Sequence, residues 1–181
     1  MPRYGLFAAV EMEGVLELQP IRGFDGAATS YFLELRCTIC REATGKPICL
    51  YPGSSPCPFY LRSKNGCVYN PNCFPKCKNS GHIVRKCKLC SGLGSVALVP
   101  VNGKPLKAKG EKELIMVVDT SGYEMLSFSL GSKWVATKLN GENVEIDCDE
   151  DNGCIDGADF VVENTSKVMY SLSKMKKTDL S

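Results

Sequence analysis

The sequence predicts an all-β fold: a sandwich or barrel-like domain of short, mostly antiparallel strands, with two Cys-x-x-Cys zinc knuckles and an irregular insertion rich in proline and cysteine. Three observations carry that prediction. Short apolar stretches with strand-like alternation recur along the chain, punctuated by Gly122, Gly131, Gly141 and Gly153. No segment sustains a helical period. Each cysteine pair, Cys37-Thr-Ile-Cys40 and Cys87-Lys-Leu-Cys90, is entered from a segment that reads as strand. With 181 residues, 44% hydrophobic and 23% charged, the chain has the makeup of one globular domain. We place that domain at residues 1–173, with a frayed basic tail over 174–181.

The elements follow in order. Tyr4 to Leu18 reads as strand, with Leu6, Ala8, Val10 and Met12 on one face and Gly14 as a bulge or bend. Its apolar opening is too short, and too soon followed by Glu11 and Glu13, to be an export signal. Ser30 to Arg36 is a second strand that runs straight into Cys37. Residues 45–81 form the irregular excursion. Pro47, Pro52, Pro56, Pro58, Pro71 and Pro75 deny it a long helix and most ladder positions, leaving one short strand at Pro47–Tyr51. Ile83 to Lys86 delivers the chain to Cys87, and Ser95 to Val99 leaves it. After a basic turn from Asn102 to Gly110, strands are expected at Glu113–Asp119, Tyr123–Leu130, Lys133–Thr137, Asn143–Asp147, Ala158–Val162 and Ser166–Leu172. Trp134 is expected in the core or on a sheet face.

Two residues between cysteines let a tight turn aim both sulfurs at one point, and two such turns complete a tetrahedron. Cys37, Cys40, Cys87 and Cys90 therefore read as a four-thiolate zinc site; disulfide, redox or iron use are the alternatives. The gap from Cys40 to Cys87 exceeds the about 15–20 residues of a compact zinc ribbon, so chain must loop out between the knuckles. A closed set of four thiolates leaves no open coordination position and points to a structural ion. An odd total of 11 cysteines, without an export signal, points to a reducing compartment, cytoplasmic or nuclear. Cys57, Cys67, Cys73 and Cys77 could form a second metal site, with His82 as an alternative ligand, but their spacing matches no standard finger. Buried or incidental thiols and a solvated loop histidine are the plainer readings.

The net charge of +2 hides a division. Residues 43–110 carry 11 Lys and Arg and no Asp or Glu, so the remainder holds 22 − 11 = 11 basic and all 20 acidic residues. Arg36, Arg41, Lys86 and Lys88 could offset the about −2 charge of a zinc–tetrathiolate centre. The rest of the basic segment is either a solvated face or a surface for an anionic partner. Asp147, Asp149 and Asp151 alternate like an EF-hand start, but Asn152 stands where glycine is required and Ala158 where glutamate is required. Asp151-Asn-Gly153 reads better as a hairpin turn. The sequon at Asn164 has meaning only in an exported chain. No phosphate loop, nucleophile elbow or run of about 18 apolar residues occurs, so neither an enzyme nor a membrane span is expected.

The strand ending Tyr-Phe-Leu-Glu-Leu-Arg-Cys37-Thr-Ile-Cys40, the long gap, and then Val84-Arg-Lys-Cys-Lys-Leu-Cys90 resemble the eukaryotic CxxC-motif zinc-binding proteins, a family long catalogued as a domain of unknown function. The opening strand through Leu18-Gln-Pro20, the stretch Val118 to Phe128 and the closing Ala158–Leu172 region look like further parts of it, in order. Lys86-Cys-Lys-Leu-Cys90 is the most specific piece. The resemblance implies an all-β sandwich with zinc on Cys37, Cys40, Cys87 and Cys90; the excursion looks longer than the family's usual link. The expected function is a zinc-binding, non-enzymatic adaptor or interaction module with an unidentified protein partner and no membrane contact. One alternative is a nucleic-acid-binding protein that uses the basic 43–110 segment, with Tyr51, Phe59, Tyr60, Tyr69 and Phe74 available to stack. Another is a metal-trafficking protein whose extra cysteines take up metal transiently.

Overall fold

The computed structural model describes residues 2–52, 61–63, 66–68, 82–131, 133–149, 153–156 and 168–175. Among them there is no helix, so none long and apolar enough to cross a membrane, and every strand pairing is antiparallel. The sheets are open, so the sandwich form of the expectation holds and the closed barrel does not.

The first sheet has β1 (Arg3–Val10) near its centre, between β15 (Val168–Met175) and β10 (Glu113–Ser121); β8 (Leu93–Val99) and β7 (His82–Lys86) complete it. A strand with neighbours on both sides and cover on both faces should be apolar throughout. β1 has Leu6, Ala8, Ala9 and Val10 all buried. Arg3 clamps Asp119 of β10 through two hydrogen bonds of 2.6 and 2.8 Å, fixing the register of that pair. The second sheet is β11 (Tyr123–Leu130), β3 (Tyr31–Cys37) and β4 (Ile48–Leu50). The third is β14 (Gly153–Asp156), β13 (Asn143–Asp149), β12 (Lys133–Lys138), β2 (Val15–Pro20) and β9 (Leu106–Lys107). Trp134 is wholly buried on β12, its ring edge-on to Phe24 with centroids 5.9 Å apart.

Several expectations are refined. The apolar run from Tyr4 to Leu18 is two strands in two sheets: Gly14, at a φ of 75°, is a corner that passes the chain from β1 to β2, not a bulge within one strand. The excursion is not wholly irregular, since β5 (Leu61–Ser63) and β6 (Gly66–Val68) pair as a small two-stranded sheet. His82 is not in a loop: its backbone opens β7 opposite Ala97. Lys174 and Met175 belong to β15 rather than to a frayed tail, because they pair with Tyr4 and Arg3 at the N-terminal end of β1. The basic turn contains β9, a two-residue strand that pairs with Glu17 and Leu18. β13 and β14 pair with Asp149 opposite Gly153, while Asp151 and Asn152 of the expected hairpin turn lie outside the described residues. The strand expected at Ala158–Val162 and the sequon at Asn164 lie outside the described residues.

Candidate metal centre

Two strands from different sheets deliver the cysteines. In β3 the period-two alternation that buries Tyr31, Leu33 and Leu35 also turns Cys37 inward, leaving it 2% exposed. In β7 the inward residue is Val84, and Cys87 follows just beyond the strand, 7% exposed. Each chain then makes the same turn. The Cys37 N–H donates to the Glu42 carbonyl at 2.8 Å, and the Arg41 N–H to the Cys37 carbonyl at 3.0 Å. In the second knuckle the Cys87 N–H donates to Gly92 at 2.8 Å, and the Ser91 N–H to Cys87 at 3.0 Å. The two turns are copies of one another in spacing and bonding.

Closing each turn sets the residue after its second cysteine in the left-handed region: Arg41 at a φ of 65° and Ser91 at 58°. L-residues there cost about 1–2 kcal/mol relative to the right-handed helix. Ser91→Gly is therefore expected to raise the stability of the metal-bound protein by up to about 1 kcal/mol, read from thermal melts. A destabilised variant would mean that the Ser91 side chain does something besides tolerate the turn.

The knuckles meet at their sulfurs. Cys37 Sγ lies 3.6 Å from Cys90 Sγ, and Cys40 Sγ lies 3.5 Å from Cys87 Sγ. All four sulfurs fall within 4.8 Å of one another, and among the described residues no other group of three or more His, Cys, Asp or Glu converges in this way. Tetrahedral zinc with Zn–S bonds of about 2.3 Å keeps its sulfurs about 3.8 Å apart. Two of the sulfur pairs stand close to that separation and all four sulfurs lie within 4.8 Å of one another, near enough for one tetrahedral ion to take them as ligands. An ion held by Cys37, Cys40, Cys87 and Cys90 would supply a cross-link, with no coordination position left over for substrate.

The residue that joins both knuckles to the fold is Gly122. It is the single residue between β10 and β11, at a φ of 69°, where the chain leaves the first sheet for the second. Its carbonyl accepts hydrogen bonds from the Thr38 N–H (3.1 Å) and the Thr38 hydroxyl (3.2 Å), inside the first knuckle. Its α-carbon packs so close to Leu93 and Gly94, just past the second knuckle, that a Cβ would stand 2.6 Å from the Leu93 carbonyl oxygen. Next in line, Tyr123 pairs with Cys37 across β11 and β3, and its hydroxyl reaches the Arg85 carbonyl at 3.4 Å. Sequence reasoning counted Gly122 only as punctuation. The glycine set between two long apolar strands was the available signal for a corner.

The thiols are not alike. N–H groups of Cys90 and Leu89 point at the Cys87 sulfur and hold its pKa down to about 7, and those of Cys40 and Ile39 lower Cys37 in the same way. Cys40 receives an N–H from Glu42, but burial and the neighbouring Cys87, Cys90 and Cys37 thiols outweigh it and push Cys40 up to about 12. Because Cys87 is depressed in the fold, its thiolate is present above pH 7 and is lost as pH falls through that value, where a proton competes with metal. Zinc affinity measured by chelator competition should therefore be weaker at about pH 6 than at about pH 8; equal affinities would contradict thiolate ligation. Of the cations expected near the site, Arg41 is engaged by Glu124 at 2.9 Å. Lys86 and Lys88 are exposed beside Cys87.

A model of the family described as CXXC-motif-containing zinc-binding protein, eukaryotic, matches residues 68–161, more than half of the 181-residue chain. The chain belongs to this family. The match contains the second knuckle; the fold brings the first to it, through β3 and the corner at Gly122. Among solved structures, the crystal structure of C1orf123 is similar over 96% of this chain and 99% of that one, with a TM-score of 0.59 and 19% identity. A hypothetical protein from Plasmodium falciparum is similar over 96% of this chain and 100% of that one, with a TM-score of 0.59 and 11% identity. At such identities the likeness is one of fold. No curated protein sequence matches the chain.

Cys57, Cys73 and Cys77 of the conjectured second site lie outside the described residues, and Cys67 is placed by its backbone alone, in β6. The same holds for the EF-hand-like aspartates: Asp151 lies outside, and Asp147 and Asp149 are placed by the backbone of β13. Cys49 lies on β4 apart from the cluster, its thiol raised by burial.

Proposed function

We propose that this protein is a non-enzymatic adaptor or interaction module in a reducing intracellular compartment, and that it holds a single zinc ion on Cys37, Cys40, Cys87 and Cys90 as a structural fastener. One observation carries the reading: four mutually adjacent sulfurs, two of them buried in the hydrophobic core, close the site at the joint between two sheets. A catalytic zinc needs an open position for water or substrate, and a four-thiolate shell has none. A trafficking site needs easy release, whereas a site whose ligands complete the core makes release and loosening of the fold one event.

X-ray absorption at the zinc edge tests this. The expected shell is four sulfurs at about 2.3 Å with no oxygen or nitrogen. A mixed sulfur–oxygen shell would indicate an open, reactive ion and would overturn the structural reading.

A further inference from the structure

The backbone of each knuckle uses the residue before its second cysteine only through its N–H, which points at a sulfur. The side chain there is free to be polar. It is instead Ile39 in one knuckle and Leu89 in the other, 69% and 68% exposed. Leu93, just past the second knuckle, is 47% exposed. Ile39 lies across the second knuckle: its Cδ1 would stand 2.7 Å from a Cβ on Gly92. The fold therefore sets two large aliphatic side chains in water around one cluster, where neither the turns nor a metal asks for them. Such clustering marks a contact surface more than scattered exposure does.

Beside this apolar tip is a hollow of about 360 Å³, walled by Glu42, Thr44 and Gly45 on the first-knuckle side and by Arg85, Lys86 and Lys88 on the other, with Leu89 on its rim. Among the described residues, Arg85, Lys86 and Lys88 line it together with one carboxylate and the metal-site Cys87, so Arg85 adds its charge to the two lysines that stand beside the thiolates. The charge is local evidence of what the 43–110 segment shows at large, 11 basic residues and no acidic one. The aliphatic tip wants an apolar anchor and the hollow wants negative charge. A nucleic-acid strand fits less well, because among the described residues the one aromatic ring lining the hollow, Tyr123, is 2% exposed and offers no stacking face.

We propose that the paired knuckle tips and the adjoining basic hollow dock an acidic protein segment bearing bulky aliphatic residues. This rests on the interaction-module reading above and names its surface and partner chemistry.

The test uses the full zinc-loaded chain and a short fluorescent peptide of alternating glutamate and leucine, followed by anisotropy at low salt. The parent is expected to bind it. The double variants Ile39→Gln/Leu89→Gln and Lys86→Glu/Lys88→Glu should each weaken binding about tenfold or more when compared at equal zinc loading, with Ile39→Gln/Leu89→Gln also keeping the parent's melting temperature, and a peptide of glutamate alone should bind about tenfold more weakly. No binding by the parent, equal binding by either double variant, preference for an oligothymidylate over the peptide, or a self-association that Ile39→Gln/Leu89→Gln abolishes in place of peptide binding would each overturn it. None of these results alters the sulfur shell of the zinc, so the docking proposal and the structural-zinc reading fail separately.

Discussion

Cys87→Ser is expected to lose zinc and to melt far below the parent. The substitution leaves three thiols for a four-ligand ion and puts a hydroxyl, which does not ionise near neutral pH, at a position 7% exposed in the core. The loss falls where, among the described residues, β7 of the first sheet and β3 of the second are held together chiefly by the sulfurs and the contacts around Gly122 and Tyr123. Loss of a structural metal belongs among the few events that cost more than about 4 kcal/mol. For a chain of this size that is a fall of roughly 8–16 °C in Tm. Cys49→Ser, on β4 and outside the cluster, is the control, with an expected cost within about 1 kcal/mol and no zinc lost. A Cys87→Ser protein that keeps its zinc and melts with the parent would show that Cys87 is no necessary ligand.

Gly122→Ala is expected to damage the fold and the metal site together. Two costs add. An alanine at a φ of 69° sits where L-residues are disfavoured by about 1–2 kcal/mol. Its Cβ would also stand 2.6 Å from the Leu93 carbonyl oxygen and 2.9 Å from the Gly94 Cα, both backbone atoms that cannot swing aside. Relieving that overlap costs a further about 1–3 kcal/mol and moves the second knuckle away from the carbonyl that holds Thr38 in the first. The expected outcome is a loss of about 2–5 kcal/mol with weakened zinc retention. Gly141 separates the causes: it has a φ of 84° but open space around it, so Gly141→Ala should show the backbone cost alone and leave zinc affinity unchanged. If Gly122→Ala kept zinc as tightly as the parent, the corner would not be what positions the knuckles.

The strands and cysteine spacings were legible because both are local. Alternation marked β3, β8, β11 and β12 to within a few residues, and two-residue gaps named the four clustered cysteines. What stayed hidden is the partition into sheets. Gly14 and Gly122 read as interruptions, yet each moves the chain between sheets, and only pairing with distant strands reveals it. Arg41 and Ser91 carry no sign of a left-handed backbone, since neither is the glycine that would announce one. Ile39 and Leu89 read as ordinary apolar residues; their exposure follows from both knuckle turns being tight enough to throw that side chain outward. β9 is two residues long, too short for any periodicity.

The most direct measurement is elemental analysis of protein purified without added metal, with thermal melts of the same sample before and after chelation. The expected result is one zinc per chain and a melting temperature that falls when the zinc is withdrawn and recovers when it is returned. A chain that holds no zinc, or one whose melting is indifferent to losing it, would contradict a structural ion fastening the two sheets.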